Sequence, residues 1–142
     1  MKRFVAAALL VALGATAAFA GPIEDRKALM KDGVAPATKI LTGFAKGDTP
    51  FDAAKVKEQL QVYIDAAAKM PTLFPEDSKT GGETTAAPKI WEDMAGFKAG
   101  FEKFGKDSTA AQAATDTASF AVAFKEITTN CGSCHGTYRI KK

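Results

Sequence analysis

Apolar residues recur along this chain in steps of three and four. No stretch shows the period-two alternation of a β-strand. Four segments carry the helical rhythm. The first covers residues 23–45, with Ile23, Arg26, Met30, Val34, Ala37, Leu41 and Phe44 on one stripe and Gly47 closing it. The second opens at Thr49-Pro50-Phe51-Asp52, which reads as an N-cap, a proline at the first helical position and an acid in the first turn. Its stripe is Val56, Leu60, Tyr63, Ala67 and Met70, and Pro71 ends it. Residues 71–87, punctuated by Pro71, Pro75, Gly81 and Gly82, form the one long connection, with Leu73 and Phe74 tucked against the body. The third segment begins at Pro88, carries Ile90, Met94, Phe97, Phe101 and Phe104 with Trp91 beside them, and runs towards Ala113. Asp116 is the expected N-cap of the fourth, whose stripe is Phe120, Phe124, Ile127, Cys131, Cys134 and Tyr138. Four amphipathic helices without strands predict an all-α fold, an antiparallel up-down four-helix bundle.

The N-terminus follows another pattern. Lys2 and Arg3 precede an apolar run from Phe4 to Leu13, then small residues up to Ala18-Phe19-Ala20. That order matches a secretory signal peptide cleaved after Ala20. The run is short for a membrane span, which takes about 20 residues, so no anchor is expected after cleavage. Residues 21–142 then form a single exported domain. Removing Lys2 and Arg3 from the 19 basic residues leaves 17 against 16 acids, a net charge of +1. There is no basic stripe interleaved with aromatics, so nucleic acid is not an expected partner.

Composition places the chemistry in one pentapeptide. The only two cysteines and the only histidine fall in Cys131-Gly132-Ser133-Cys134-His135. C-x-x-C-H is the signature of covalent haem attachment, each thiol adding to one vinyl group. Positions i, i+3 and i+4 share one helical face, so two sulfurs clamp a macrocycle edge and the next imidazole turns to the iron. Other readings fit less well. A thioredoxin-like pair sits at the start of a helix after a strand. A structural zinc needs four ligands, and only three Cys and His side chains exist. A disulfide would close a very short loop, although export would permit one.

A four-helix chain with this motif near its C-terminus resembles the class II cytochromes c, the cytochrome c′ family. The resemblance spans residues 22–142. It rests on Arg26-Lys27-Ala28-Leu29-Met30-Lys31, Pro50-Phe51-Asp52, Leu73-Phe74-Pro75, Pro88-Lys89-Ile90-Trp91 and the stretch from Cys131 to Arg139. It implies one covalent haem c held by Cys131 and Cys134, a periplasmic location, redox partner proteins and, in some members, pairing of two copies through the first two helices.

The resemblance also frames the sixth ligand. Most cytochromes c′ block the distal face with a bulky apolar residue and bind nitric oxide or carbon monoxide. Low-spin members carry a ligating methionine there, and the matching position here is Met30. His135 with Met30 would raise the reduction potential and suit ferrous iron. A methionine on an apolar stripe is otherwise core filler, the role expected of Met70 and Met94. Arg26 lies one turn before Met30, where a haem propionate would match its charge; the alternative is a side chain that reaches solvent. The resemblance places Arg139 near the proximal side. Trp91, Phe97, Phe101 and Phe124 are either ring contacts or plain core. Lys125, Arg139, Lys141 and Lys142 are a candidate basic rim for an acidic partner. The expected function is single-electron transfer by a His135/Met30 haem, with a five-coordinate gas binder as the alternative. No acid–base pair or nucleophile triad points to an enzyme, and a peroxidase would want a distal histidine that the chain lacks.

Overall fold

The computed structural model describes residues 21–141, and the signal-peptide expectation on residues 1–20 lies outside them. Four long helices carry the fold. The first, α1, has three parts: Pro22–Ala28, a π-helical turn Leu29–Val34, and Ala35–Lys46. Then come α2 (Ala53–Lys69), α3 (Met94–Ala111) and α4 (Thr117–Tyr138). Each helix packs on its neighbours in a ring: α1 on α2, α2 on α3, α3 on α4, and α4 back on α1. That is the up-down bundle the periodicity predicts. There is no strand among the described residues; a single antiparallel bridge joins Ala86 and Arg139.

The predicted stripes are the buried faces. Leu41, Leu60, Phe120 and Ile127 are fully enclosed, with Phe44, Val56, Phe97, Phe101, Phe104 and Phe124 around them. Burying each such side chain contributes about 1.5–3 kcal/mol. Met70 belongs to this core, as expected, and Met94 packs half-buried at its edge.

Local chemistry moves several boundaries. Asp52, not Thr49, caps α2, its carboxylate accepting from Ala54 N and Lys55 N, so Pro50 lies before the helix. The α-helix stops at Lys69, and Pro71 sits inside a 3₁₀ turn, Met70–Leu73. Pro88 starts only a short helical turn, Lys89–Glu92. Asp93 breaks it and caps α3 by accepting from Gly96 N at 3.1 Å. Asp116 caps α4 in a reciprocal box with Ser119. At the end of α1, Gly47 takes φ 75°, the left-handed conformation that terminates helices and favours glycine.

The long connection is anchored as expected. Leu73 is buried, and Phe74 stands edge-on to Trp91 and Phe97. The indole N–H of Trp91 donates to Phe74 O at 3.1 Å.

Candidate haem site

Two segments meet the requirements of the site, and the up-down topology sets both at one end of the bundle. They are the first half of α1 and the last turns of α4. α4 packs on α1 through Ala35–Lys46. Towards its C-terminus its partners are α3 and the turn before it, while the first half of α1 leans on α2 and the 3₁₀ turn.

On α4, Cys131 and Cys134 are half-buried free thiols and His135 is exposed. Burial pushes both thiols above their ordinary range, and the charge of Cys131 adds to the shift at Cys134. Loss of hydration on the side of the ring that faces the helix, followed by the positive charge of Arg139, lowers the His135 imidazole. The neutral ring is the ligating form. No cluster of three or more metal-binding side chains exists among the described residues. Paired thiols on one helical face with a neutral imidazole beside them fit a covalently attached haem.

The end of α4 is fastened to neighbouring elements. Tyr138 donates from its hydroxyl to Asp93 Oδ2 at 2.7 Å. Ala87 N donates to Tyr138 O at 2.9 Å, and Ile140 N to Thr85 O at 2.8 Å. The Asp93 bond holds the phenol high, at about 12. In turn, the phenol and then the Gly96 amide hold the Asp93 carboxyl below its usual range. Gly96 leaves room for this bond, since a Cβ there would press on Asp93 Oδ2 and the Tyr138 oxygen and oblige them to shift. Arg139 is exposed, its Nε 3.4 Å from Thr85 Oγ1.

On α1, Met30 is the second residue of the π-helical turn and packs half-buried against the core with Leu29 and Val34. Pro36 accounts for the turn. It has no N–H, and its ring opposes the carbonyl of Asp32. The backbone answers with a wider loop, Ala35 N donating to Met30 O. π turns inside α-helices are frequent at functional sites. Gly33 and Pro36 within a helical stretch were the sequence signal for it.

Arg26, one turn earlier, is 5% exposed and does not reach solvent. Its Nη1 donates to Leu73 O (3.0 Å) and Ser78 Oγ (2.9 Å), its Nη2 to Ser78 O (2.9 Å) and Thr84 Oγ1 (2.7 Å). The guanidinium carbon lies 4.4 Å from the Phe74 ring centroid. Burial lowers its pKa, and nearby Glu24 opposes the shift. Arg26 thus clamps the long connection to α1. Ser78 and Thr84 are partners that no periodicity argument would select.

The aromatic candidates separate. Trp91 and Phe97 brace the connection, and Phe97 also meets Phe101 and Tyr138 edge-on at centroid distances of 5.2 and 5.3 Å. Phe124 stacks on Phe120 further along α4. The basic rim is not continuous: Lys125 lies ten residues before His135, about 15 Å along the helix. Between them stand the exposed acid Glu126 and the uncharged Thr128, Thr129, Gly132 and Ser133, and Lys142 lies outside the described residues.

A four-helix bundle with paired thiols and an imidazole on its last helix defines a class: cytochromes with haem attached at the C-terminal end. The comparisons name the family. The cytochrome C′ family model matches residues 21–139. Cytochrome c′ of Rhodopseudomonas palustris (strain ATCC BAA-98 / CGA009) is 43% identical over 143 residues, covering 99% of this chain and 97% of that one. Cytochrome c-556 of Agrobacterium fabrum (strain C58 / ATCC 33970) is 41% identical over 145 residues, covering 100% and 97%. The solved structure of a cytochrome c′ from Rhodopseudomonas palustris superposes with a TM-score of 0.82 at 44% identity, covering 87% of this chain and 98% of that one.

The chain belongs to the cytochrome c′ family, the class II cytochromes c. Its cofactor is covalently attached haem c, and its functional class is electron carrier or gas binder.

Proposed function

We propose that this protein is a periplasmic monohaem cytochrome that passes single electrons between redox partner proteins. Residues 1–20 act as its cleaved signal peptide. Cys131 and Cys134 hold the haem, with His135 and Met30 as axial ligands. Bound haem supplies a one-electron ferric/ferrous couple. The protein's residues hold and orient it. Cys131 and Cys134 fix one edge, His135 offers a neutral ring nitrogen, and Met30 offers a thioether from the opposite segment. Arg26 keeps its Nε–H for a propionate after its four Nη protons bind the connection.

The observation that carries the reading is Met30 itself. It stands on a π turn at the same end of the bundle as His135, half-buried and apolar-packed, where the five-coordinate pattern has no ligating group. A thioether on both oxidation states keeps coordination constant, which limits reorganisation on electron transfer.

The second reading is a five-coordinate binder of nitric oxide or carbon monoxide, favoured by the cytochrome c′ among the similar proteins. Optical spectra of the reduced protein with and without carbon monoxide separate the two. The carrier gives a low-spin spectrum that changes only at carbon monoxide concentrations high enough to displace Met30. A high-spin spectrum that shifts on addition would defeat Met30 as a ligand. Redox partners are the expected interactors, with pairing of two copies through α1 and α2 as a further mode of assembly. No helix among the described residues is long and apolar enough to cross a membrane.

A further inference from the structure

Tyr63 is the largest fully buried side chain among the described residues, and its hydroxyl must find a partner inside the bundle. It is 1% exposed, and its ring packs on Phe104 with centroids 5.0 Å apart. Its oxygen lies 2.6 Å from Thr38 Oγ1. Thr38 donates its single hydroxyl proton to Val34 O at 2.7 Å, so Tyr63 is the donor to Thr38. The chain therefore runs from α2, through Thr38, to the last residue of the π turn that carries Met30.

That turn is where the backbone departs from the α-helical register. Pro36 denies Asp32 its ordinary α-helical partner, and the π pattern depends on Ala35 N reaching Met30 O. A shift of one residue between π and α registers rotates what precedes it by about 100°. Such a rotation would swing Met30 off the buried stripe. The turn packs against α2, the helix that supplies Tyr63.

Resting on Met30 as the sixth ligand, we infer that Tyr63 is a positioning residue. Through Thr38 it pins the C-terminal end of the π turn and sets how firmly Met30 resists displacement from the iron. A competing ligand binds only the fraction of protein with Met30 released, so loosening the turn raises the ligand's apparent affinity.

Carbon monoxide titrated into the reduced holoprotein, followed by absorbance, measures that fraction. Tyr63→Phe and Thr38→Val should each raise the apparent affinity about tenfold, the effect of one net hydrogen bond. Thr38→Ser keeps the hydroxyl and should titrate like the parent. Amide exchange should quicken over residues 34–38 in Tyr63→Phe and stay unchanged in α3, which a general loss of packing would not produce. Identical affinities for Tyr63→Phe and a low-spin parent overturn this inference alone, as does a Thr38→Ser variant as altered as Thr38→Val. A parent that is already high-spin overturns the ligand assignment, and the inference with it.

Discussion

The last turns of α4 and the first half of α1 stand at the same end of the bundle, yet their backbones are built differently. α4 runs as one regular helix from Thr117 to Tyr138 through both cysteines. α1 leaves the α-helical register at Leu29 and regains it at Ala35. α4 is fastened beyond its haem motif, by Tyr138 to Asp93 and by Ile140 N to Thr85 O. α1 is fastened on either side of Met30, by Arg26 to the connection and by Thr38 to Tyr63. Pro36 sets the contrast in backbone, and it suits the two kinds of bond that the proposed function gives the segments. Thioethers need only a regular helical spacing. A thioether ligand that can leave depends on non-covalent support at every approach.

Removing the covalent side should have the largest effect. The double variant Cys131→Ala, Cys134→Ala should leave a purified polypeptide with no retained haem mass after acid–acetone extraction. Retained haem would mean that α4 is not the attachment site.

On the α1 side, Arg26→Met removes a buried cation with four hydrogen bonds and strands Ser78 and Thr84. The expected loss is about 3 kcal/mol, read as a lower urea midpoint at unchanged m-value. The next effect belongs to α4. Gly96→Ala drives a methyl into the Asp93–Tyr138 bond and should cost about 2 kcal/mol. If the fastening matters locally, amide exchange at Ile140 should quicken before that of α2.

Asp116→Ala sharpens the comparison as a control. It removes the cap at the start of α4, far from the motif, so the urea midpoint should fall slightly while the haem spectrum stays unchanged.

The smallest effect is a titration. Tyr138→Phe removes the main cause of Asp93's depression, so its carboxyl midpoint in NMR should move up towards the ordinary range. A carboxyl depressed in the folded state stabilises it above the ordinary carboxylate pKa. That contribution fades as pH falls through the depressed value. The variant should therefore lose less stability than the parent on acidification.

The difference between the segments also explains what the sequence made legible. The α4 stripe from Phe120 to Tyr138 and its motif obey local rules of spacing, and the Asp116 cap was readable for the same reason. The place of Arg26 on the α1 stripe was visible too, but its burial and its partners were not. Leu73, Ser78 and Thr84 lie 47 to 58 residues away, joined by tertiary packing that no window reveals. The π turn left a trace in Gly33 and Pro36 that uninterrupted three-and-four spacing concealed. Thr49 looked like a cap because its neighbours fit the pattern, yet Asp52 has the carboxylate placed to accept two amides. Asp93 broke the third segment because capping α3 and receiving Tyr138 outweighed one more helical turn.

The most direct test of the account is the ferric and ferrous absorption spectrum of Met30→Ala beside the parent. The parent should show a methionine-to-iron band in the ferric state that disappears in Met30→Ala, which becomes high-spin and open to carbon monoxide. Superimposable spectra for the two proteins would contradict it.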